Sequence, residues 1–288
     1  MSRFKLIIEY AGTRYSGWQV QTNARTVQGE LGRAVRAVTG RDDFELAGSG
    51  RTDAGVHALR QAAHLEIAST MPARTLVQRL NDELPADINV LAADPVPHRF
   101  HARHDAVARS YLYQISRRRT AFAKPYVWWV KDPLDLDRMR EAAGLFTGLR
   151  DFQSFAADPD AHTSTLVHLE RITLAEDGDL VLIRVEGSHF LWKMVRRVVG
   201  VLVEIGCGRL APEEASRFLA EASDVPARLT APASGLFLER VFYPGEPRDL
   251  PLRPVVNLPS APAPVPSGAQ RPAAFTTPRA RPSRKRDR

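Results

Sequence analysis

Residues 44–68 read FELAGSGRTDAGVHALRQAAHLEIA: a strand-like FELAG, a loop holding Gly48, Gly50 and Gly55, and a second strand-like run, QAAHLEIA, at 61–68. Two successive strands joined by a loop with no helix between them pair antiparallel, so this stretch belongs to a sheet that is not built of simple βαβ crossovers. The loop sets Arg51 and Asp53 among residues with little or no side chain, where a charge pair is open to close approach. A tight surface turn with a solvated ion pair has the same composition.

Outward from this stretch, FKLIIEY at 4–10 reads as a strand. Thr26 to Val38 reads as a helix, apolar at Val27, Leu31, Ala34, Val35 and Val38. A helix near 74–84 and a strand, INVLAADPV, at 88–96 follow. The same order then recurs: strand RSYLYQI at 109–115, a helix near 136–146, strand LVHLERITL at 166–174, a turn at Asp177-Gly178-Asp179, strand LVLIRVEG at 180–187, a helix over 190–205, a shorter helix near 212–222, and strand LFLERVFY at 236–243. This is βαββαβ twice. The expected fold is α+β, with two ferredoxin-like, split-βαβ halves at 1–105 and 106–246, antiparallel sheets forming a central cleft, and helices on the other face.

The chain has 288 residues, 44% of them hydrophobic and 25% charged, enough to bury a substantial core. No run approaches the ~18 apolar residues of a membrane helix, and the N-terminus runs straight into a strand rather than a signal-peptide core; the expectation is a cytoplasmic protein without membrane contact. One cysteine, Cys207, excludes an internal disulfide and any cysteine-based zinc site. The formal charge of +7 is uneven, since residues 244–288 carry nine Lys or Arg against three Asp or Glu. The expected tail, 247–288, is basic, rich in Pro, Ala and Arg, and disordered; it reads either as an RNA-gripping arm or as a solubilising extension. The body is nearly neutral and binds an anionic partner only by gathering its arginines on one face.

Several side chains carry potential chemistry. A desolvated aspartate rises by roughly 3 to 5 pKa units on deep burial, whereas a neighbouring arginine lowers it by roughly 1 to 3, so an arginine beside Asp53 in a closed site keeps it charged and aimed. Such a carboxylate can act as a nucleophile at a sugar or an activated ring carbon, and the absence of a second nearby carboxylate argues against an ordinary glycoside hydrolase. The helix near 190–205 has an apolar stripe at Leu191, Met194, Val195, Val198 and Leu202 with Lys193, Arg196 and Arg197 elsewhere; spacing alone leaves open which arginine faces a site. His98, His101 and His104 recur every third residue, yet without acidic or cysteine companions they are not expected to bind metal. Arg99, Arg103 and Arg109, interleaved with aromatics, read as an RNA-binding surface, and Tyr111 and Tyr113 share one face of the following strand. YSGWQ at 15–19 and RTVQGEL at 25–31 either contact RNA or cap and pack the helix.

Taken in order, YSGWQ, RTVQGEL, GSGRTDAGVHA, FHAR, ARSYLY, GSHFLWKMVRRVVG and APASGLFLERV closely resemble the tRNA pseudouridine synthase A (TruA) family over nearly the whole chain before the tail. The resemblance implies isomerisation of uridine to pseudouridine at positions 38, 39 and 40 of the tRNA anticodon arm, by a homodimer, without metal or organic cofactor. It implies that Asp53 is the catalytic nucleophile and that Arg196 is its charge partner. It makes Tyr111 the tyrosine that stacks on the base and acts as general base, Arg51 a holder of the flipped nucleotide, and Leu236 part of the uracil pocket. Arg103 and Gln28 are expected to touch the RNA. His168 stands near where the family pattern has an arginine, which puts one contact in doubt. The alternatives are a non-catalytic RNA-binding protein or tRNA-folding chaperone, and a nucleoside hydrolase or base glycosylase that would release free uracil.

Overall fold

The computed structural model describes residues 1–157 and 164–258. The first half contains β1 (Ser2–Tyr10), α1 (Val27–Thr39), β2 (Phe44–Gly48), β3 (His57–Ile67), α2 (Ala73–Glu83) and β4 (Ile88–Pro95). The second contains β5 (Ala108–Ser116), β6 (Trp128–Trp129), α3 (Leu136–Leu145), β7 (Gly148–Asp151), β8 (Leu166–Asp177), β9 (Leu180–Gly187), α4 (Met194–Gly206), α5 (Glu214–Ala220), α6 (Val225–Arg228) and β10 (Leu236–Phe242). Among their main strands the first half runs β4-β1-β3-β2 and the second β10-β5-β9-β8, the same order in both.

The halves do not form separate sheets as expected. The order β4-β1-β3-β10-β5-β9-β8-β7 is continuous because β10, antiparallel to β5 on one side, pairs parallel with β3 on the other at Phe237–His57 and Leu238–Ala58. Joining the halves this way satisfies backbone groups that two separate sheets would leave on open edges. β2 occupies the same side of β3 further along, at Ala63–Ile67. The Asp53 loop crosses the fork between β2 and β10.

Both sets of helices lie on one face of the sheet. Val27, Leu31 and Val35 of α1 and Leu76 and Leu80 of α2 cover Leu6 and Ile8 of β1, while Val195, Val198 and Leu202 of α4 and Met139 of α3 cover Tyr113, Ile183 and Val185. Tyr111 touches both clusters and marks the seam between them. The cleft therefore opens between the helical layers on the helix-bearing face, not on the bare face as expected. The opposite face buries Leu112, Leu180, Leu182 and Phe237 under Leu252, Val255, Val256 and Leu258.

That cover corrects the expected start of the tail. Residues 247–258 run across the far face, where Leu250 and Pro251 carbonyls accept hydrogen bonds from Arg184 (2.7 and 3.0 Å) and Val255 donates to Gln114 (2.6 Å). Their apolar side chains have a surface to bury, which a Pro-rich composition without periodicity conceals. The remainder of the expected tail lies outside the described residues.

A second correction concerns α4, which begins at Met194 rather than near 190 because Lys193 takes φ 62, in the left-handed region. No other non-glycine residue among those described does so. A lysine there costs of order 1–2 kcal/mol, and it turns Phe190–Lys193 into a loop beside the cleft instead of a first helical turn.

Candidate functional site

The Asp53 loop is held by its backbone. The Trp18 amide donates to the Thr52 carbonyl (3.1 Å), Gly55 to Tyr15 (3.3 Å), Val56 to Asp53 (3.1 Å) and Ser49 to Ala62 (2.8 Å). Buried Thr52 shares a hydrogen bond with the Tyr10 hydroxyl (2.8 Å), and Gln61 bridges Ser49 Oγ and the Gly50 carbonyl. The glycines divide the work: a Cβ on Gly48 would strike the buried Trp18 indole at 2.6 Å, and Gly55 takes φ 79 to close the turn after Asp53. Only Gly50 has open space around its missing Cβ, so one of the three glycines leaves room for a ligand.

Asp53 Oδ2 accepts from Arg196 Nη1 at 3.2 Å, with side chains 19% and 16% exposed. Arg196 is aimed by a second bond from Nε to the Ala231 carbonyl (2.7 Å) and by its place in the first turn of α4. Asp53 Oδ1 accepts no hydrogen bond from the described residues. A carboxylate with one oxygen anchored and one free can present that oxygen to a substrate.

Around this pair lies a cleft of about 1310 Å³. That exceeds the ~300–1,000 Å³ that encloses a drug-sized molecule, leaving room for a nucleotide and part of its strand. All seven expected site residues line it: Asp53, Tyr111, Arg196, Arg51, Leu236, Arg103 and Gln28. Asp53 is the sole carboxylate among the described lining residues, against five cations, Arg51, Arg103, Arg109, Lys193 and Arg196. A nearly neutral body thus collects its positive charge around one acid.

The lining residues differ in how free they are. Arg51 and Arg103 are exposed, and their side chains make no hydrogen bond or ion pair among the described residues. Gln28 lends its amide to the fold, donating to Leu46 (2.8 Å) and accepting from Val20 (3.1 Å). Leu236 is buried at the start of β10. Tyr111 meets Phe190 edge-on at 5.0 Å, and burial pushes its hydroxyl up to about 12, so it is protonated at neutral pH. Arg109, expected at an RNA surface, instead donates to the carbonyls of Ala106, Ser188, Ser49 and Arg103, tying three cleft-lining loops together. Burial lowers its pKa, as it does that of His189, which also faces Arg109 and Arg103. In the RTVQGEL segment, Thr26 is the N-cap of α1 (Gly29 amide to Oγ1, 3.2 Å), and in YSGWQ Trp18 is buried.

Glu45, His64 and His101 bring ligand atoms within 4.8 Å of one another, a spacing that invites a cation. Their protons argue otherwise. Nδ1 of His64 accepts from the Ala102 amide, and Nδ1 of His101 from the Arg103 and His104 amides, so both rings carry their proton on Nε2. His64 Nε2 lies 3.1 Å from Glu45 Oε1 and donates to it. Metal at either Nε2 would force that proton onto a nitrogen already facing an amide donor; the cluster is a hydrogen-bonded brace for the loop bearing Arg103.

Among the described residues no helix is long and apolar enough to cross a membrane. The family model described as tRNA pseudouridine synthase matches residues 6–105 and 142–244. The tRNA pseudouridine synthase A of Geobacter sp. (strain M21) is 42% identical over 248 residues, covering 85% of this chain and all of that one. The tRNA pseudouridine synthase A 2 of Clostridium tetani is 38% identical over 243 residues, covering 83% of this chain and 98% of that one. The tRNA pseudouridine synthase A of Thermoanaerobacter sp. (strain X514) is 38% identical over 247 residues, covering 84% of this chain and 100% of that one. With its aspartate loop and the arginine paired to it falling inside the matched segments, the chain belongs to the tRNA pseudouridine synthase A family.

Proposed function

We propose that the chain isomerises uridine to pseudouridine in the anticodon arm of tRNA, at positions 38, 39 and 40, with Asp53 as the nucleophile. The observation that carries this reading is the half-anchored carboxylate at a cationic cleft that Tyr111 also lines. The reaction moves C1′ from N1 to C5 of the same uracil, so no electrons are gained or lost; it needs a nucleophile, a pocket for the detached base, and proton transfers at C5 and N1.

A uracil in a helical stem is out of reach, so the nucleotide is extruded at a cost of a few kcal/mol, offset by stacking and polar contacts in the pocket. Tyr111 and Leu236 bracket the base, Arg51 and Arg103 hold the strand, and Arg196 orients Asp53. In the direct-displacement version, Asp53 attacks C1′ as the N1–C1′ bond breaks with its electrons to uracil. The base turns, C5 attacks C1′ and frees the carboxylate, C5 gives up its proton and N1 gains one. Tyr111, protonated at rest, takes part in proton movement only as a relay that releases one proton as it accepts another. The same residues suit attack at C6 or a glycal route, since both need an ionised Asp53. The reading includes a cytoplasmic homodimer.

Unmodified tRNA incubated with the protein and mapped by carbodiimide-dependent primer stops is expected to show new stops at positions 38–40. An unchanged anticodon arm across several tRNAs would overturn the proposal, and release of free uracil would make the protein a glycosylase.

A further inference from the structure

The stretch His189–Lys193 forms one wall of the cleft, and the proposed reaction uses none of its side chains. Phe190 and Leu191 are partly buried and Phe190 meets the Tyr111 ring. Trp192 differs: 55% of it is exposed, and it lines the same cleft as Arg51 and Arg103. Its backbone is fixed, since its carbonyl accepts from the Ala157 amide at 2.9 Å, and the strained Lys193 follows it with its ammonium 4.9 Å from the indole centroid. A strained lysine holding an open tryptophan at the wall of a cationic cleft is an arrangement that packing alone does not require.

Resting on the RNA-modifying reading above, we infer that Trp192 is a stacking platform for a second unpaired nucleobase of the substrate, a neighbour of the extruded uridine, with Lys193 beside it near the adjoining phosphate. Continuity supports this occupant: Tyr111, Phe190 and Trp192 all line one cleft whose described surface holds five cations and one carboxylate, the combination of aromatic faces and positive charge that binds single strands. Stacking is tolerant of base identity, so Trp192 contributes affinity for an open loop rather than a sequence preference.

The test uses the full chain and one unmodified tRNA transcript. Trp192→Ala is expected to raise KM for tRNA about tenfold, within the ~5- to 150-fold that loss of one base–aromatic stack gives, with the single-turnover rate at saturating tRNA unchanged. Trp192→Phe restores most of the affinity and loses the part of the tryptophan fluorescence quench on tRNA binding that Trp192 contributes; this second variant decides the matter if the alanine form does not fold. Unchanged affinity in Trp192→Ala, a fall in rate at saturation without a change in KM, or a change in sedimenting mass that places Trp192 between copies of the chain would each overturn the inference. Should the wild type bind tRNA but leave uridine unconverted, the functional reading fails, while the affinity comparison still decides the stacking role.

Discussion

The two faces of the sheet each carry an arginine–carboxylate pair, and the pairs are built oppositely. On the far face, Arg184 holds Glu239 through Nε (2.7 Å) and Nη2 (2.5 Å), with side chains 5% and 11% exposed. Ser110 adds a hydrogen bond to the same carboxylate at 2.6 Å, and Leu250 and Pro251 carbonyls take further N–H groups of Arg184. Nearly every donor and acceptor there is matched. In the cleft, Asp53 and Arg196 share one contact of 3.2 Å, and one carboxylate oxygen is left over. A saturated pair has nothing to offer a ligand and serves the fold; an unsaturated one in a cavity is available for chemistry.

Substituting each carboxylate tests that contrast most sharply. Asp53→Asn is expected to lower the conversion rate at least about 10⁴-fold while shifting urea-unfolding stability by less than ~1 kcal/mol, because a single partly open contact contributes little. Glu239→Gln is expected to do the reverse. It leaves a buried guanidinium without its counter-charge, costing about 3–5 kcal/mol, yet conversion per folded molecule at saturating tRNA stays near wild type. An Asp53→Asn form as unstable as Glu239→Gln would erase the distinction between the faces.

Smaller effects sharpen it. His57, buried where β3 meets β10, accepts from the Gly12 amide and donates to the Pro125 carbonyl; burial lowers its pKa below 6.5. Below about pH 6.5 the unfolded chain binds a proton that folded His57 refuses. Stability is therefore full above that pH and declines as pH falls, by up to about 1.4 kcal/mol per unit for this group; His57→Gln should flatten the decline in urea melts run from pH 7 to 5. The smallest effect is at Tyr111. With its hydroxyl near 12, the pH–rate profiles of the wild type and Tyr111→Phe should share one shape between pH 6 and 9, whatever their absolute rates. A limb lost in the variant would show that the phenol titrates there.

Periodicity revealed the order of elements where α1, α2 and β1 each have one buried side, and apolar runs marked the strands buried on both. The union of the halves was hidden, since the pairing of His57 with Phe237 joins residues from opposite ends of the fold. The Asp53–Arg196 contact, equally long-range, came from resemblance; helix spacing left three basic residues to choose from. The early start expected for α4 followed from Phe190 and Leu191 continuing its apolar run, as lysine carries no mark of a left-handed conformation. Arg184 and Glu239 did leave a trace: each is one of two charges in a mostly apolar strand, beside Glu186 in LVLIRVEG and Arg240 in LFLERVFY, and buried charges are paired when both faces are covered. The cover at 250–258 was legible only in Leu252, Val255, Val256 and Leu258, whose bulk contrasts with the alanines and arginines beyond.

The placing of β10 bears on how the molecule comes into being. Asp53 belongs to the portion translated early, but the floor of its cleft needs Leu236, and the parallel pairing that joins the halves needs Phe237 and Leu238. Each half has the local contacts to begin ordering while the chain is still emerging, yet the cleft cannot exist until β10 has been delivered to β3 across the whole intervening sequence. Closing so long a loop is slow relative to local folding. A ribosome-bound chain lacking β10 would therefore carry the aspartate without the cleft, and competence for chemistry would arrive in one late step.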